Sequence, residues 1–236
     1  MTRALLTALL LCSTTPLAAQ DAAEPAAEAA PALSPEQVTA FNAAVADFTA
    51  GQKAQQAGDN AGAVAKYDAA LPAIRDVVRA QPQNIDNVNF LANALYAAAA
   101  ANAALQKIDA VFPLYEESVP HWRTVVAAKP EDATSRNILA GILVQLGNVK
   151  LSRQDKAGAA PLYGEAATLA RKSVQASADA ANRNLLLGAL IGMSQTGDDP
   201  AIKAEVAAMS KTMLADGTVD AANKAAAQIL SEAASD

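Results

Sequence analysis

The stretch Arg75-Asp76-Val77-Val78-Arg79-Ala80-Gln81-Pro82 returns 48 residues later as Arg123-Thr124-Val125-Val126-Ala127-Ala128-Lys129-Pro130. It returns again as Arg171-Lys172-Ser173-Val174-Gln175-Ala176-Ser177-Ala178. Outward from it the same spacing holds Tyr67, Tyr115 and Tyr163 in register. Agreement at so many places is not chance. A fixed period of roughly 20–50 residues marks a stacked-repeat architecture, in which each unit has an apolar face that only its neighbours can cover.

Composition says what fills such a stack. Hydrophobic residues make up 52% of the 236-residue chain and aromatics only 4%, so the core must be alanine, leucine and valine at close range. Runs such as Ala97 to Ala101 have high helix propensity and no β-branched stretch to favour a strand. The expected fold class is therefore all-α, built of antiparallel helical hairpins.

The chain carries 18 basic and 24 acidic residues. That balance, with no clustered basic face, argues against nucleic acid or an anionic membrane as the main partner.

Residues 1–19 read as a signal peptide: Arg3, an apolar run from Ala4 to Cys12, and small residues before a cut ahead of Gln20. The run is too short to span a bilayer, and no transmembrane segment is expected after it. Export, most simply to a periplasm, follows. Cys12 is the only cysteine; a lipid-anchored Cys12 is disfavoured because Leu11 before it is large. The mature chain then has no thiol for a disulfide or a cysteine metal site.

Residues 20–33 hold almost only alanine, proline and acid, and are expected to form a disordered linker. Ser34-Pro35-Glu36-Gln37 opens the fold with an N-cap, a proline at the first helical position and a glutamine able to close a capping box. Hairpins follow, with inner turns near Asp59, near Asp109 and near Gln154-Asp155. The repeat domain spans 34–197, its fourth opening one residue early. Residues 198–236 read as a degenerate helical C-terminal cap, with helices to about Leu214 and from about Val219. Pro72, Pro113, Pro120 and Pro161 fall inside second helices, where kinks are expected.

The first unit has Gly51, Ala63, Tyr67 and Ala70, and the third has Gly147, Ala159, Tyr163 and Ala166. On these residues the chain resembles the tetratricopeptide repeat (TPR) family over about residues 41–175. The middle unit keeps Tyr115 but has Ala99, Val111 and Ser118 at the other places. The period of 48 exceeds the family's 34 or so, which lengthens each helix. The resemblance implies a TPR-like solenoid that binds peptides in a groove lined by first helices. By position it implies Phe48, Gln52 and Gln55 in the first unit, Tyr96 in the second, and Val144, Asn148 and Leu151 in the third. It implies no lysine and asparagine clamp for a C-terminal carboxylate, since only Asn148 fits.

No catalytic constellation can be assembled. His121 is the only histidine and lacks metal-binding partners, so neither a metal nor a cofactor is expected. Glu116-Glu117 reads as a solvated face rather than an acid/base pair, and Trp122 as packing between helices. Arg75, Arg123 and Arg171 are expected to pair with a neighbouring repeat's carboxylate or to lie along the helix surface rather than to form a ladder for acidic ligands. Asn89, Asn137 and Asn184 are expected to cap helices or to join repeats. The leading reading is a non-catalytic adaptor or scaffold for a protein or peptide partner in the cell envelope. The alternative is a structural subunit that self-associates as a homo-oligomer.

Overall fold

The computed structural model describes residues 32–233. The signal peptide expected over 1–19, Cys12, and residues 20–31 of the linker expected over 20–33 lie outside the described residues, as do residues 234–236.

The described residues form α-helices and no strand. In order they are α1 (Pro35–Gln56), α2 (Asn60–Ala80), α3 (Ile85–Ala104), α4 (Ile108–Ala128), α5 (Ala133–Ser152), α6 (Lys156–Ala176), α7 (Ala180–Thr196), α8 (Pro200–Ala215) and α9 (Lys224–Ala233). Neighbouring helices pack in consecutive pairs, joined by turns of three or four residues up to α8.

Each boundary has a local cause. Ser34 makes the full capping box with Gln37 ahead of α1. Asn84, Asp132 and Asp179 cap α3, α5 and α7, with side-chain oxygens accepting from first-turn amides. Asp59 and Asp155 do the same for α2 and α6. Lys107, in the corresponding place before α4, makes no side-chain cap. Helices α2, α4 and α6 run without a break through Pro72, Pro113, Pro120 and Pro161, all of which face solvent. There water can satisfy the carbonyls that lose an amide partner.

The core is one continuous cluster of leucine, valine, isoleucine and alanine. Trp122 is fully buried within it, as packing. The recurrent arginines each reach a carboxylate of the next pair: Arg75 to Glu117 at 2.6 Å, Arg123 to Glu165 at 2.6 Å and Arg171 to Glu205 at 2.6 Å. The asparagines divide. Asn137 joins α5 to α6 and α7 through Ser173 and Asn182, whereas Asn89 only accepts from Asn93 within α3. The same network buries Arg136, 5% exposed, whose Nε donates to Ser173 and whose Nη1 donates to the Pro130 carbonyl.

The last helix starts at Lys224 rather than near Val219. Asn184 explains the difference: its Oδ1 accepts from the Asp220 amide, and its Nδ2 donates to the Thr218 carbonyl. Asn223 returns a bond to the Asn184 carbonyl. Residues 218–223 are thus held against α7 by bonds that a helix there would need for itself.

Candidate binding groove

The repeated tyrosines set the geometry of the candidate site. Tyr67 and Tyr163 are fully buried. A Cβ on Gly51 would stand 2.6 Å from the Tyr67 ring, and one on Gly147 would stand 2.8 Å from the Tyr163 ring, so each ring needs its glycine. On the far side of Tyr163 lies a second glycine, Gly192, and Ala97 shares a cleft with Tyr67. Both hydroxyls are satisfied, Tyr67 donating to Gln55 and Tyr163 to Asn148. Burial pushes the Tyr163 hydroxyl up to about 12 and raises that of Tyr67.

The middle unit breaks this pattern on both flanks. Ala99 stands where Gly51 and Gly147 stand, and Gln145 where Ala97 and Gly192 stand. Tyr115 therefore cannot sink between the helices. It remains half-buried, its ring stacked on Tyr96 at 6.2 Å between centroids. Three tyrosines in the same register thus take two different places: Tyr67 and Tyr163 fill their units, and Tyr115 does not.

The displaced ring leaves a cleft of about 410 Å³ between α3, α4 and α5, walled by Tyr96, Ile108, Phe112, Tyr115 and Ile142. Gly141 and Gln145 also line it, and both line a second cleft of about 470 Å³. That second cleft continues between α5 and α7 past Val144, Leu185 and Gly188 to Asn223. The two make one groove across three first helices. Of the residues lining it, Asp220 alone carries a charge.

The structure distributes the residues named by position as follows. Tyr96 and Val144 lie in the groove. Gln52 and Gln55 line a separate shallow cleft of about 330 Å³ beside Tyr67. Asn148 is exposed but its side chain holds the Tyr163 hydroxyl, and Leu151 is half-buried outside these clefts. Phe48, 9% exposed, packs edge-on against Phe90 and against Tyr67 in the core, which leaves almost none of its ring for a partner.

Positional reasoning missed Ile108, Phe112, Gly141, Leu185 and Gly188. One signal was present: Gly141 and Gly188 occupy the same place in the third and fourth units once the one-residue deletion is allowed. A Cβ on Gly141 would meet nothing within 4 Å, so this glycine opens the groove floor without serving helix packing.

Elsewhere, His121 is half-buried, and loss of solvent holds its imidazole below the usual value against the opposing pull of Glu117. Glu117 is engaged by Arg75, with Nε at 2.6 Å and Nη2 at 2.8 Å. Among the described residues no three histidine, cysteine or acidic side chains stand together as metal ligands, and no helix is long and apolar enough to cross a membrane. No family model matches this chain, and no curated protein matches it.

Proposed function

We propose that this chain is a non-catalytic TPR-like scaffold, its hairpins stacked as a solenoid, that holds an extended segment of a protein partner across its first helices after export to the cell envelope. The observation that carries this reading is the shared floor of the two clefts at Gly141 and Gln145, which turns two pockets into one groove crossing successive units. An elongated, almost uncharged groove suits an uncharged stretch of chain, since a charge buried there would lack a partner. A photo-crosslinking residue at Gln145 tests it, with Thr168 on the solvent face of α6 as the control position. In the native envelope the expected result is a discrete adduct from position 145 and none from 168. Equal smears from both would remove the reading.

A second reading, self-association, is favoured by apolar side chains left open on the first and last described helices: Val38 (43% exposed) and Val45 (39%) on α1, and Ile229 (69%) on α9. Light scattering over a concentration series distinguishes it, since a constant monomer mass excludes it.

A further inference from the structure

We infer that the cleft between the second and third hairpins is a binding site for a free, uncharged aromatic small molecule. This inference does not depend on the peptide reading, because it concerns one end of the groove and a different class of ligand.

The argument starts from what made the cleft. In the first and third units the space beside the helices is filled by the repeat's own tyrosine, lodged against glycine. In the second, Ala99 and Gln145 exclude Tyr115, and nothing else among the described residues fills the space. Its volume of about 410 Å³ falls within the range of small-molecule sites, roughly 300–1,000 Å³.

The walls select the ligand. Tyr96, Tyr115 and Phe112 offer ring faces and edges, which favour another aromatic ring by offset or edge-on contact. No charged side chain lines this cleft, so a charged ligand would lose water and gain no counter-ion. Polar groups are nevertheless in place. Tyr67 and Tyr163 spend their hydroxyls on Gln55 and Asn148, whereas the hydroxyls of Tyr96 and Tyr115 and the amide of Gln145 make no hydrogen bond among the described residues. The site is thus an apolar slot with free hydrogen-bonding groups at its rim.

The test uses N-phenyl-1-naphthylamine, an uncharged aromatic fluorophore, titrated into the whole mature chain. Trp122 is the chain's only tryptophan and lies two helical turns beyond Tyr115 on α4, so energy transfer from it reports on binding beside that helix. Expected are one saturable site, a fall in Trp122 emission in step with occupancy, and little dependence on salt. Gly141→Phe should fill the slot and weaken binding roughly tenfold or more with no fall in melting temperature, since this position faces open space.

A second variant guards against misfolding of the first. Ala99→Gly with Gln145→Ala gives Tyr115 the flanks that Tyr67 has, lets the ring sink and should weaken the probe as much. The inference is overturned by absence of saturable binding, by wild-type affinity in the folded variants, or by binding that leaves Trp122 emission unmoved. Loss of crosslinked adducts at position 145 with probe binding intact would remove the peptide reading alone.

Discussion

At Gly147 an added methyl would collide with a ring that already fills its site: the Cβ would lie 2.8 Å from Cε1 and Cζ of Tyr163. Gly147→Ala is therefore expected to cost about 1–3 kcal/mol through overpacking, although alanine is the better helix former. Denaturant melts check it, and a stabilised variant would mean that the ring moves freely. The same melts separate the tyrosines: Tyr163→Ala should cost about 3–5 kcal/mol as a buried aromatic, and Tyr115→Ala clearly less, since it is already partly exposed. The inner turns give the opposite sign. Gly58, Gln106 and Gln154 share one place in the repeat and all have positive φ, 81°, 58° and 62°. Only the first is the residue that suits that conformation, so Gln154→Gly is expected to raise stability by about 1 kcal/mol.

At the scale of elements, the helix ends rest on a few carboxylates. Asp155 accepts from the Gly158 amide at 2.8 Å at the start of α6, and Asp155→Ala should lower the urea midpoint. Lys107→Ala at the same place before α4 should cost next to nothing, because no cap is lost. These caps also set an acid limit. A side-chain bond from Ser135 holds Asp132 below the usual carboxylate range, an amide bond from Gly158 does so for Asp155, and one from Asn182 for Asp179. A carboxylate depressed on folding stabilises the fold above its unfolded value of about 3.9 and loses that contribution as pH falls through the folded value. Urea midpoints should therefore drop below about pH 4, and drop less in Asp155→Asn, which keeps an acceptor that does not titrate. A midpoint flat down to pH 3 would show that the caps contribute little.

Much at this scale was legible in the sequence, because caps and turns are local. Ser34 with Gln37 and the inner turns near Asp59, Asp109 and Gln154-Asp155 all place helix ends within a residue or two. The start of α9 was not legible, since it is decided by Asn184, more than thirty residues away. The groove failed to show for the same reason. Whether Tyr115 sinks or stands out depends on Ala99 and Gln145 on two other helices, and Phe48 reads as surface by position although Phe90 on α3 covers it.

At the scale of the whole molecule, the junction between the second and third hairpins combines two opposing features. Packing between α4 and α5 is sparser than between α2 and α3 or between α6 and α7, and the cleft opens there. The Arg123–Glu165 pair spans the same junction from α4 to α6, with Nε at 2.9 Å and Nη2 at 2.6 Å. Two parallel bonds make this stronger than a single surface contact, yet the pair is partly exposed, so a double-mutant cycle should return about 0.5–1 kcal/mol and shrink with salt. Such a pair does not replace missing apolar contact, whose contribution scales with buried area. Cooperative opening should therefore divide the chain here. Native-state hydrogen exchange is expected to resolve two blocks, α1 to α4 and α5 to α7, with different opening free energies, and Arg123→Gln should bring their separation to lower denaturant. Exchange of all seven helices at one common free energy would show instead that the continuous core couples the hairpins through the cleft, and that the displaced Tyr115 costs the stack no cohesion.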